Sequence, residues 1–142
     1  MKFPGVLLLL AVTICSASAA KRIEIHATPV AASQVMDATH TRRHAKNEVE
    51  ISVVQQVRGS GQLMLHLNGL AVAKLAYADW IQLYLPPGRY RLGVAPAHNF
   101  GRAGLWEMNV DLSGNKPRIY KILQSAGFTS SGGNAVYEIA PY

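Results

Sequence analysis

The side chains able to serve as metal ligands, bases or nucleophiles are scattered along this chain rather than gathered into a motif. The histidines are His26, His40, His44, His66 and His98, and only His40 and His44 lie four apart. On a helix that spacing would put both rings on one face, within reach of a divalent metal. The segment reads HTRRH, however, with no glutamate between the two rings. The fixed charges of Arg42 and Arg43 oppose a dication, so no metal site is expected. Ser60, Ser113, Ser125, Ser130 and Ser131 could be nucleophiles, but none stands in a Gly-x-Ser-x-Gly elbow. Glu107 and Asp111 share a strand face two alternations apart, which suits solvated carboxylates better than an acid/base pair for glycoside cleavage. The expectation is a domain with no catalytic residue and no cofactor.

Cys15 is the single cysteine, and its surroundings decide what it can do. Lys2 precedes an apolar run from Val6 to Ile14, and the small residues CSASAA follow. Together they form the charged, apolar and cleavable regions of a secretory signal peptide over residues 1–20, with cleavage after Ala19 or Ala20. The run is too short for a lasting transmembrane anchor. A lipidated cysteine would follow a small residue, and Ile14 stands there instead. Cys15 is therefore expected to leave with the signal peptide, and lipidation at Cys15 is the alternative. The mature chain then has no disulfide, no thiolate nucleophile and no cysteine ligand.

The formal net charge is +6, or +5 once Lys2 is removed. Lys21, Arg22, Arg42, Arg43 and Lys46 all precede Asn47 and face only Glu24 and Asp37. Arg42, Arg43 and Lys46 form a basic patch in that leader, suited to weak contact with anionic lipid or cell-wall polymer, or to an acidic protein. Nucleic acid is not an expected partner, because no base-stacking motif accompanies the charge.

Stepping along the remaining chain, hydrophobic period 2 dominates. Residues 21–47 lack a sustained period and read as a flexible or partly helical basic leader. From Glu48 onward the alternation is regular. Val49, Ile51 and Val53 oppose Glu50 and Ser52; Leu63, Leu65 and Leu67 lead into Asn68-Gly69, the strongest short hairpin signal. Trp106, Met108, Val110 and Leu112 alternate with polar residues, Arg118–Gln124 follows, and a last strand near Val136–Ala140 is expected at an edge. Residues 95–104 and 125–134 read as loops. The fold expected over 48–142 is all-β, a small antiparallel β-sandwich of about seven strands.

The stretch WIQLYLPPGRYRLGV, residues 80–94, reads as two strands joined in a hairpin at Pro86-Pro87-Gly88. Ile81, Leu83 and Leu85 share one face, which leaves Trp80 and Tyr84 on the other, with Arg89 and Arg91 across the turn. Trp80, Tyr84, Arg89 and Arg91 have the composition of a protein-binding patch, in which Tyr84 and Arg91 would be hot spots. The alternative is that the leader covers this face and the rings are packed.

The order LMLHLNGLAVAKL, WIQLYLPPGRYRLGV and WEMNVDLSGNKPRIYKI resembles the small bacterial envelope domains of the PEGA type and related lipoproteins of unknown function. The resemblance covers residues 48–140 and rests on Asn68, Gly69, Pro87, Gly88, Tyr90, Gly114 and Tyr120, with Lys116-Pro117 as an extension before Tyr120. It implies a binding or assembly accessory without catalytic activity. The expected location is the periplasm or cell envelope, and the expected partner is another envelope protein. A secreted inhibitor or immunity-type protein, blocking an enzyme such as a cell-wall hydrolase through a protruding loop, is the alternative. Intact-mass measurement of the exported protein is expected to show a chain beginning near Ala20 without lipid; a diacylated Cys15 would overturn both the cleavage site and the unanchored state.

Overall fold

The computed structural model describes residues 27–98, 105–124 and 137–142. Residues 1–26, which hold the expected signal peptide and Cys15, lie outside the described residues, as do most of the two expected loops. The strands are β1 (Thr28–Pro29), β2 (Val49–Gln55), β3 (Leu63–Leu67), β4 (Leu70–Leu75), β5 (Asp79–Leu85), β6 (Gly88–Pro96), β7 (Trp106–Leu112), β8 (Arg118–Gln124) and β9 (Tyr137–Pro141). They form a five-stranded sheet in the order β1-β5-β2-β8-β9 and a four-stranded sheet in the order β4-β3-β6-β7. The sandwich expected from the alternation is present, and most strand pairs are antiparallel. The exceptions are β1 with β5 and β2 with β8, which run parallel.

The alternating residues meet between the sheets. Val49, Ile51, Val53, Leu83, Leu85 and Ile122 from one sheet pack against Leu63, Leu65, Leu92, Val94 and Leu112 from the other, all fully buried. At one side Trp106 of β7 meets Tyr137 of β9 edge to face, with ring centroids 5.3 Å apart, so an aromatic pair joins the sheets where β6 and β7 approach β9.

Turn chemistry explains one expectation and corrects another. Asn68 (φ 51°) and Gly69 (φ 82°) both occupy left-handed conformations, which is what the two-residue hairpin between β3 and β4 requires. The Asn68 side chain also accepts a hydrogen bond from Arg91 N–H at 2.9 Å, tying the turn to β6. Residues 80–94, by contrast, are not a hairpin. β5 lies in the five-stranded sheet and β6 in the four-stranded one, so Pro86 and Pro87 carry the chain across the sandwich. Two successive prolines hold φ near −65°, which excludes the positive-φ turns of a tight hairpin but suits an arch between layers. Tyr90 braces it, its hydroxyl donating to Pro86 O at 2.7 Å. The alternation is the same in a hairpin and an arch, because Leu85 and Leu92 face the core in either case.

The described part of the leader, residues 27–47, closes the other open side of the sandwich and is termed the strap. It begins along β5, where Thr28 N–H bonds Ala78 O and Val30 N–H bonds Trp80 O. A single 3-10 turn, Ala32–Gln34, is its only helical piece among the described residues. The strap then crosses to β4. There the register with β3 shifts between Leu65 and His66 and leaves Val72 as an extra residue, a β-bulge. The Val72 carbonyl accepts hydrogen bonds from both Met36 and Asp37 N–H, at 2.8 and 3.1 Å. Finally the strap returns to β5, where Tyr84 N–H donates to His40 O at 2.8 Å.

Leu83 is fully buried in the centre of this core, whereas Gln82 beside it faces outward and is half-buried. Leu83→Ala is expected to cost about 2–5 kcal/mol in denaturant unfolding, and Gln82→Ala well under about 1 kcal/mol. Equal losses would mean that the face assignment of β5 is wrong.

Candidate functional site

Arg43 fixes the strap against the five-stranded sheet. Its Nη1 donates to Glu48 O at 2.9 Å, and its Nη2 lies 4.0 Å from Glu50 Oε2. The guanidinium also lies over the Tyr84 ring, 4.8 Å from the centroid, a geometry in which the ring quadrupole attracts the cation. Glu50 is opposite Tyr84 in the β2–β5 pair and is only 3% exposed. Its Oε1 is buried without a hydrogen-bond partner, so Arg43 is the compensating charge for this carboxylate among the described residues. A second contact acts one turn away. His44 N–H donates to Glu48 Oε2 at 2.6 Å, and this bond holds the Glu48 carboxyl below the usual carboxylate range.

Between the anchor points the strap stands away from β5 and leaves a cleft of about 570 Å³. Pro29, Val30, Ala32, Val35 and Ala38 give it an apolar wall, Trp80, Ile81 and Gln82 line it from β5, and Thr41 and Arg42 lie at one end. Its volume falls in the range of small-ligand and peptide-side-chain sites. Thr41 Oγ1 is engaged with Ala38 O at 2.8 Å. Arg42 is exposed and has no hydrogen-bond or ion-pair partner among the described residues.

The candidate residues of the sequence do not form one patch. Trp80 and Tyr84 face outward from the five-stranded sheet, while Arg89 and Arg91 face outward from the four-stranded one, on the opposite side of the sandwich. The separation follows from the proline arch: a hairpin would have kept both pairs on one sheet. Arg89 and Arg91 face Asp111 and Glu107 across the β6–β7 pair, at 3.8 and 3.5 Å. Tyr84 is half-buried beneath Arg43, so its truncation would act on the strap, whereas Trp80 lines the cleft. The basic patch is divided too. Arg43 turns onto the sheet, Arg42 reaches the cleft, and Lys46 is exposed.

The histidines are equally dispersed. Residues 38–47 are turns and irregular backbone, so His40 and His44 do not share a helix face, and the His44 ring Nε2 is 2.9 Å from Thr39 O. His66 is buried on the four-stranded sheet, and burial pushes its imidazole pKa down. Among the described residues no group of His, Cys, Asp or Glu could hold a metal ion, and no helix is long and apolar enough to cross a membrane.

Sequence reasoning missed Gln55 and Ala78, which fix the strap's starting point. Ala78 adopts a left-handed φ of 66° and donates its N–H to Gln55 O at 2.8 Å. Its carbonyl, thus positioned, takes the Thr28 N–H. Gln55, fully buried, also gives its side-chain amide to Ser60 Oγ at 3.1 Å. A buried glutamine at the end of an apolar strand was the available signal, since such a group must find partners.

Arg43→Ala should destabilise the domain by about 1–3 kcal/mol, because it leaves the buried Glu50 carboxylate and the Glu48 carbonyl without their partner. Adding Glu50→Gln should recover part of that loss, since a neutral amide needs no counter-charge. An unchanged urea midpoint in Arg43→Ala would show that this contact does not hold the strap.

No family model matches the chain, and no curated protein matches it.

Proposed function

We propose that this chain is an exported bacterial envelope protein that works by binding another envelope protein, without catalysis of its own. The observation that carries the reading is the cleft between strap and sandwich. It is concave and largely apolar, it presents a half-buried tryptophan from a packed strand, and at its end lies an arginine with no ion-pair partner among the described residues. Aromatic and arginine side chains in such a setting offer large contact area and directed charge at little entropic cost. The polar side chains in the cleft are those of Arg42, Gln82 and Thr41, groups that orient a ligand and are poor general bases at neutral pH.

Export is supported by the signal-peptide pattern of residues 1–20, and an envelope setting by the PEGA-like order of turns and core positions over 48–140. The sandwich accounts for those turn residues: Asn68 and Gly69 make the β3–β4 hairpin, and Pro87 and Gly88 belong to the arch. Contact with anionic lipid or cell-wall polymer is a weaker, secondary property of the basic leader.

Photo-crosslinking in cells tests the reading. A benzophenone amino acid at Ala38, exposed and on the cleft wall, is expected to give a protein adduct in the envelope fraction. The same group at Glu138, on β9 at the far edge, should give none. Absence of any protein adduct from Ala38, or retention of the chain in the cytoplasm, would overturn it.

A further inference from the structure

The strap leaves one residue of β5 unpaired, and that residue lies in the cleft. Along this edge Ala78 O accepts Thr28 N–H, Trp80 O accepts Val30 N–H, and Tyr84 N–H goes to His40 O. Even-numbered residues of β5 therefore direct their backbone groups toward the strap, while the odd ones bond β2. Gln82 has the same parity, yet neither its N–H nor its C=O has a strap partner among the described residues. The strap departs after Val30 and returns at His40, so a single N–H and C=O pair is left facing the cleft. From Trp80 to Tyr84 this edge spans about 13 Å, room for the last few residues of an extended chain. Pro29 and Val30 make its Trp80 end apolar, Val35 and Ala38 form the facing wall, and Arg42 lies toward the Tyr84 end.

We infer that the cleft binds the free C-terminal end of a partner protein in extended conformation, with an apolar side chain among its last residues. The peptide backbone pairs with the N–H and C=O of Gln82, completing the edge of β5 where the strap leaves it. The apolar side chain packs on Trp80, Val30 and Val35, and the terminal carboxylate pairs with the Arg42 guanidinium, a fork matched to two oxygens. An acyl-chain carboxylate would satisfy Arg42 and the apolar wall but would cover the Gln82 backbone groups without pairing them, at a cost. Only a peptide terminus answers all three features. The inference rests on the protein-binding function proposed above and names the part of the partner that enters.

The test uses the mature chain, labelled with ¹⁵N, and three probes: N-acetylated pentapeptides ending in leucine or valine with a free carboxylate, the same peptides as C-terminal amides, and dodecanoate. The free-acid peptides are expected to bind, shifting the Gln82 backbone amide and the Trp80 indole resonances while leaving that of Trp106 in place. Amidation of the peptide, or Arg42→Ala in the protein, should weaken binding about tenfold or more. Arg42→Ala should keep the parent Tm, which separates lost binding from lost fold. Equal binding of acid and amide, preferential binding of dodecanoate, or no peptide-induced shift at Gln82 would each overturn the inference. A protein adduct from Ala38 in cells alongside such a failure would mean that a folded partner surface, not a chain end, meets the cleft. The binding function would then stand while this inference fell.

Discussion

Every two-sheet sandwich has sides where edge strands present backbone groups with no neighbour, and in this protein that constraint shapes everything on the β4/β5 side. A buried N–H or C=O left unpaired costs about 1–3 kcal/mol, so the edge must be covered or wetted. The strap covers it by bonding β5 at its start, β4 at the Val72 bulge and β5 again at Tyr84. It is held down by a charge: Arg43 bridges Glu48, Glu50 and Tyr84. Where the strap bows outward between these points, the edge is exposed again, and the cleft is the space so made. Cleft and edge protection are thus two results of one segment of chain.

The two faces of the sandwich carry arginines of different meaning. Arg89 and Arg91 pair with Asp111 and Glu107 across neighbouring strands in the open, where such pairs contribute little to stability and are screened by salt. Arg43 sits above a buried carboxylate, where its removal would strand a charge. Arg42, its neighbour in sequence, has neither kind of partner among the described residues. Adjacent residues in an irregular segment point in different directions, so one is structural and the other is left exposed beside the cleft.

Much of the fold was legible because it rests on period and turn chemistry. Leu63, Leu65 and Leu67 followed by Asn68-Gly69 could form little besides an inward-facing strand and a tight hairpin, and they do. What period cannot show is which sheet a strand joins. Ile81, Leu83 and Leu85 face the core equally well in a hairpin or an arch, so the Pro86-Pro87 crossing, and with it the separation of Trp80 from Arg89 and Arg91, was invisible. That the leader covers the Trp80 and Tyr84 face was one of the two readings the alternation left open, but the path of the strap was not legible. Its bonds are single backbone contacts to carbonyls such as those of Ala78, Trp80 and Val72, and these leave no mark on its own side chains. Glu50 and Ser52, polar residues in alternation, suggested a solvated face, yet both are buried. The Arg42-Arg43 pair was visible as charge, but its division between anchor and cleft depends on backbone direction alone.

The parallel pairing of β2 with β8 bears on the order in which the domain can assemble. β2 is the first long strand to be synthesised and lies at the centre of its sheet, yet one of its two neighbours is among the last. The strap waits as well, since β4 and β5 come after it in the chain. Closure of such distant pairs is slow compared with local hairpins, so early segments have nothing to fold onto while later ones are still arriving. In a chain that emerges N-terminus first, this topology leaves β2 and the strap without their partners until most of the domain has followed.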